Sequence, residues 1–148
     1  MTRREARRHA FSLVFQLPFL PEGNVQNLAE AKKLYYEGLE TPRPTGKNAE
    51  YIDRVVWGAF ERQAQLDSVI ENFLRDWEIS RINRIDLAIL RLAIYEMLCE
   101  PDVPIGTAVN EAIDIAKEYG TDDSGAFING VLGNVARHIN AEGRESIG

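Results

Sequence analysis

The chain has 148 residues, an apolar fraction of 45%, a charged fraction of 27% and a formal net charge of −6. That composition fits one soluble globular domain whose core needs no staples. A lone cysteine excludes an intrachain disulfide and fits a reducing, cytoplasmic setting; no apolar run approaches a membrane span, and the acidity excludes indiscriminate nucleic-acid binding.

The first element runs against that acidity. Arg3, Arg4, Arg7, Arg8 and His9 crowd the start of a helix expected over about residues 2–17. Its core stripe is Ala6, Ala10, Leu13, Val14 and Leu17, at helical spacing. At 100° per residue, Arg4, Arg8, Phe11 and Phe15 share a sector about 60° wide beside that stripe. Arg3 and Arg7 flank the stripe itself. Positive charge at a helix N-terminus opposes the helix dipole by roughly 0.3–1 kcal/mol per charge, so these arginines are poor choices for stability alone. Guanidinium forks match phosphate oxygens, and aromatic faces stack unpaired bases. The plainer reading is an exposed basic arm, with Phe11 and Phe15 widening the core stripe. Phe11 suits that role better; Phe15 is the candidate for an exposed ring.

Beyond the turn cluster at residues 17–24, a second helix is expected over 25–39 with Leu28, Tyr35 and Leu39. Asn48 can cap a third, with Ile52, Val55, Val56, Ala59 and Phe60 inward. A fourth follows or continues it, with Leu66, Val69, Ile70, Phe73, Leu74 and Trp77 inward. Asn83 can cap IDLAILRLAIYEML, a helix apolar on most sides and therefore central. Thr107 can cap the sixth, which Gly120 would end in a left-handed conformation. Asp122 or Asp123 can cap the last, whose Phe127, Val131, Leu132, Val135 and Ile139 share a face. Gly130 falls mid-helix, where a close helix–helix approach would explain it. Residues 141–148 are expected to fray. No strand alternation, repeat or low-complexity tract is present. The expected fold is all-α: seven helices in one compact domain spanning residues 1–140.

No catalytic constellation is visible. His9 and His138 stand alone, no His/Cys spacing suggests zinc, and Asp122–Asp123 lacks further ligands. Cys99 follows an apolar run and reads as a core residue. The chain reads as a non-enzyme with no cofactor.

Three stretches resemble the NusB family of bacterial transcription antitermination factors: RREARRHAFSLVFQ, LRLAIYEM at 90–97 and DVPIGTAVNEAIDIAKEYGTDDSGAFINGVL at 102–132. The resemblance implies seven helices in two packed subdomains. It implies binding of the boxA segment of ribosomal RNA leaders, best together with the ribosomal protein NusE, in a complex that joins RNA polymerase. It also implies a homodimer that hides the arginines in some members. By position, the RNA-binding residues would be Arg3, Arg4, Arg7 and Arg8, with Phe15 where the family commonly has tyrosine, and Asp123 and Phe127. Asp123 has a structural reading as a cap and a functional one as acceptor of a base amino group. Asp86 matches the family's acidic position at the partner surface. Four phosphate contacts to single-stranded RNA would give a salt slope of about −3. Two other readings use the same helices: the NusB-like domain of a ribosomal RNA cytosine methyltransferase, for which this chain would be a fragment, and a protein-interaction module without RNA.

Overall fold

The computed structural model describes residues 1–20, 25–75 and 78–147. Among these residues seven α-helices follow one another: α1 (Arg3–Gln16), α2 (Val25–Glu37), α3 (Gly46–Glu61), α4 (Gln63–Phe73), α5 (Arg84–Cys99), α6 (Ile105–Tyr119) and α7 (Ser124–Glu142). Short 3₁₀ turns lie at Leu17–Phe19, Ile79–Arg81 and Arg144–Ser146, and no strand occurs among the described residues. None of the described helices is long and apolar enough to cross a membrane. Trp77, expected to face inward, lies outside the described residues.

The expected central helix is α5, buried along most of its length from Asp86 to Met97. One subdomain, α1 to α3, packs on it mainly through α1 and α3. The other places α4, α6 and α7 against it, with α6 and α7 lying on each other. A helix sandwiched in this way cannot keep a polar face to water, so its charged residues must be paired internally. Arg91 does this with a two-pronged grip on Asp67, both bonds at 2.8 Å.

Local chemistry differs from expectation at several ends. Thr2 and Glu5 form a reciprocal capping box: Thr2 Oγ1 accepts from the Glu5 amide at 3.1 Å, and the Thr2 amide donates to Glu5 at 2.9 Å. This carboxylate in the first turn counters part of the arginines' conflict with the dipole. Asn83 caps α5 as expected, accepting from the Asp86 amide at 2.8 Å. Asn48 does not cap α3, which begins at Gly46; its side chain accepts from Arg3 and donates to the Met1 carbonyl. Thr107 lies inside α6, whose start follows Pro104. Asp123 occupies the cap position of α7 without making a side-chain bond, while Ser124 Oγ accepts from the Thr121 amide at 2.9 Å.

Two glycine expectations are also corrected. Gly120 has a negative φ; it is glycine because a Cβ would sit 2.4 Å from Ser124 Oγ and 2.7 Å from the Ala116 carbonyl. Gly130 meets nothing within 4 Å, so no close approach requires it. The close approach is at Gly58, where a Cβ would fall 2.2 Å from the Tyr95 ring. The tail is docked: Arg144 Nε donates to the Met97 carbonyl at 2.7 Å, and Ile147 is buried in the core. Cys99 is half-buried at the core's edge rather than enclosed.

Candidate nucleic-acid interface

Helical geometry sorts the four arginines into two pairs, because residues four apart share a face. Arg3 and Arg7 point toward α3 and α5. Arg3 donates to Asn48 Oδ1 at 3.0 Å, and its guanidinium lies 4.4 Å over the Tyr51 ring. Arg7 is only 4% exposed and forks onto Glu96, itself 1% exposed, through bonds of 2.9 and 3.0 Å. The Tyr51 hydroxyl donates to the same carboxylate at 3.0 Å. Burial alone would lower the Arg7 pKa; the Glu96 hydrogen bonds and charge outweigh it and hold it above the ordinary value. Burial beside Glu96 pushes the Tyr51 phenol up. Arg7, which the resemblance put among the RNA-binding residues, is therefore turned inward and paired. It sits on the core side of α1, where a charge is tolerated only with a dedicated counter-charge.

Arg4 and Arg8 point the other way, toward α6. Arg4, 56% exposed along its side chain, donates to Asp114 at 2.8 Å and lies 3.6 Å from Glu111. Arg8 donates to Glu118 at 2.7 Å. That hydrogen bond holds the Glu118 carboxyl below its ordinary range. Exposed pairs of this kind are worth about 0–1 kcal/mol, so a phosphate can exchange for the carboxylate at little cost.

The same row continues as aromatic rings. Phe11 is buried, and its ring lies 5.3 Å from that of Tyr119, which is 44% exposed at the end of α6. Phe15 is half-buried and pairs with Phe19 at 5.8 Å. Phe19 is 56% exposed, with the Arg84 guanidinium 4.6 Å over its ring. Arg84 opens α5, and its chain neighbour Asn83 lines a recess of about 210 Å³ between the starts of α5 and α7. Asn83, Asp86, Asp123 and Phe127 line that recess.

Asp86 is 5% exposed. Its Oδ2 accepts from Asn83 at 3.0 Å, and its buried Oδ1 accepts no hydrogen bond among the described residues. Asp123 is exposed with its carboxylate free of capping duty, and Phe127 is half-buried. Among the described residues, no three His, Cys, Asp or Glu side chains gather where a metal ion could sit.

The fold thus brings Arg4, Arg8 and Phe15 along one side of α1 and puts Asp86, Asp123 and Phe127 round one recess. It withdraws Arg7. Sequence reasoning missed Tyr119, Phe19 and Arg84. Tyr119 and Arg84 lie far from α1 in sequence, so only α1's contacts with α5 and α6 reveal them. Phe19 carried a signal: it stands four residues after Phe15, but the Pro18 turn hid the continuity.

A seven-helix domain built on a buried central helix, with a cationic and aromatic row along its first helix, is the class these features define. Residues 4–137 match the NusB family, and the chain belongs to that family. It is 40% identical over 148 residues to the transcription antitermination protein NusB of Acetivibrio thermocellus, covering 99% of this chain and 97% of that protein. T. maritima NusB superposes with a TM-score of 0.76 at 35% identity, over 93% of this chain and 92% of that one. A crystal structure of antitermination factors NusB and NusE with double-stranded RNA contains a chain that matches at TM-score 0.77 and 27% identity, over 93% of this chain and 98% of that one. The curated relative is named for antitermination, and such factors are not enzymes.

Proposed function

We propose that this protein is a cytoplasmic transcription antitermination factor that binds single-stranded boxA RNA along α1, together with NusE, within an RNA polymerase complex. The observation that carries the reading is the row of Arg4 and Arg8, whose shortest bonds go to the part-exposed carboxylates of Asp114 and Glu118, continued by Phe15. Family membership supports the antitermination role. The neighbour solved with NusE and RNA supports the two partners.

In this mechanism Arg4 and Arg8 exchange Asp114 and Glu118 for phosphate oxygens, and Arg3 adds a third contact at the helix start. Phe15 stacks a base. Asp123, free of its cap, accepts from a base amino group, and Phe127 flanks that base. Asp86 contributes to the partner surface through the recess it lines. A homodimer closed over the row keeps the arginines from RNA until NusE is bound. Arg7 has no phosphate to itself, so three contacts replace four and the salt slope becomes 3 × −0.7, about −2.

The test is a titration of fluorescein-labelled boxA RNA, with and without NusE, at about 50 and 200 mM salt. Affinity is expected to fall about 20-fold across that range, and an Arg4→Glu/Arg8→Glu variant is expected to lose RNA but keep NusE. Unaltered RNA binding by a normally folded double variant refutes the proposal.

A further inference from the structure

We propose that Phe19, with Arg84 laid over its ring, is a second base-stacking platform that takes the next unpaired nucleobase of the RNA strand after Phe15. The inference rests on the RNA-binding reading of α1 and extends it to two residues outside that reading.

The platform is built before any ligand arrives. Pro18 sets the 3₁₀ turn, the Leu20 amide closes it on the Leu17 carbonyl at 3.1 Å, and Leu17 anchors it in the core. The ring is thus presented by a fixed backbone, and stacking costs little ordering entropy. Phe19 nevertheless leaves more than half its surface exposed, in contact with Phe15 at 5.8 Å and with the Arg84 guanidinium at 4.6 Å. A cation poised on an aromatic ring suits an anionic strand with flat bases better than an apolar protein segment, which would have to desolvate the arginine.

Continuity favours the same occupant. Along α1 and its neighbours the order is Arg4, Arg8, Phe11 against Tyr119, Phe15 against Phe19, then Arg84, whose chain neighbour Asn83 lines the recess holding Asp86 and Asp123. Arg8 and Phe15 are about 10 Å apart along the helix axis. Without Phe19 and Arg84, the strand has no platform between α1 and the recess. Stacking of this kind is tolerant of base identity, so the platform adds affinity and direction rather than sequence choice.

The experiment uses the full chain with boxA RNA carrying fluorescein, and a second set carrying 2-aminopurine at successive positions. Phe19→Ala is expected to weaken binding about fivefold or more, the lower bound for one stacked base, with the salt slope unchanged. It also abolishes the fluorescence quenching of one 2-aminopurine. Phe19→Trp restores both. Arg84→Met weakens binding and flattens the slope by about 0.7 if its guanidinium also reaches phosphate; an unchanged slope leaves it as a support for the ring. The exposure of Phe19 makes loss of folding an unsuitable explanation, and circular dichroism of the variant checks this. Phe19→Ala binding RNA like the parent overturns the platform while the α1 reading stands, provided Arg4→Glu/Arg8→Glu still abolishes binding. Phe19→Ala that weakens NusE capture in the absence of RNA, and leaves RNA affinity alone, assigns the ring to the protein partner and overturns the proposal. A parent that binds no RNA, with or without NusE, overturns both readings.

Discussion

Replacing Arg7 by methionine removes one half of the most deeply buried ion pair in the α1–α5 contact. Methionine approximates the stem of arginine but supplies no donor. Glu96, 1% exposed, then keeps only the Tyr51 hydroxyl at 3.0 Å. Breaking a buried pair from one side costs about 3–5 kcal/mol, because the remaining charge has neither water nor counter-charge. Against a total of about 5–15 kcal/mol for a domain, this is severe. At about 2–4 °C per kcal/mol for a chain of this size, the melting midpoint should fall by roughly 10–15 °C. Urea unfolding followed by circular dichroism measures the loss directly. A combined Arg7→Met/Glu96→Met variant should recover much of it, the remaining cost being about 1–3 kcal/mol for the Tyr51 hydroxyl, together with the loss of the longer Arg7–Glu111 pair at 3.7 Å. Arg7→Lys should fare little better than Met, because an ammonium cannot reproduce the two-pronged grip. If Arg7→Met keeps its stability to within about 1 kcal/mol yet flattens the RNA salt slope by about 0.7, Arg7 is a phosphate ligand and the reasoning is wrong.

Other outcomes follow from the same contacts. Asp114→Asn and Glu118→Gln remove carboxylates that compete with phosphate for Arg4 and Arg8, so each should raise RNA affinity by up to about fivefold and barely move stability; weaker binding in the titration would contradict the exchange mechanism. Gly58→Ala drives a methyl into the Tyr95 ring and should cost about 1–3 kcal/mol, whereas Gly130→Ala, with open space around it, should stabilise α7 by about 0.4–1 kcal/mol; thermal melts of both decide whether the spacing is read correctly. Burial lowers the pKa of His9, which bonds the Tyr35 hydroxyl at 2.6 Å, against a smaller upward pull from Glu5. The unfolded chain therefore takes up this proton first, and the His9 contribution is full above the unfolded value of 6.5 and declines below it toward the folded value. Urea midpoints at about pH 7.5 and 5.5 should show a smaller drop for His9→Gln than for the parent. Truncation before Arg144 removes the Met97 contact and the buried Ile147, and should lower stability by about 1.5–3 kcal/mol; an unchanged midpoint would mean the tail contributes nothing.

What could be read from the chain alone was whatever local spacing governs. The helical period placed all seven helices, the all-apolar run marked α5 as central, and Asn83 announced its own cap. Arg4 and Arg8 could be assigned one face because residues four apart on a helix must share it. What could not be read depends on what that face meets. Arg7 differs from Arg8 by one position, yet one guanidinium is enclosed with Glu96 and the other lies beside Glu118 at the surface. Glu96 and Tyr51 are 89 and 44 residues from Arg7, so no window of sequence contains the pair. Caps failed where other partners took over: Asn48 turned to Arg3 and Met1 across the fold, and a local bond from the Thr121 amide to Ser124 left Asp123 free. Gly120 and Gly58 carry no special backbone angle; the Tyr95 ring that forbids a side chain at Gly58 is there only once α3 packs on α5, and Ser124 closes on Gly120 through the turn between α6 and α7. Periodicity is a property of one helix and is written in order along the chain. Burial of a charge, and the row that joins Phe15 to Phe19 and Arg84, are properties of helices in contact, set by packing between segments that the sequence keeps far apart.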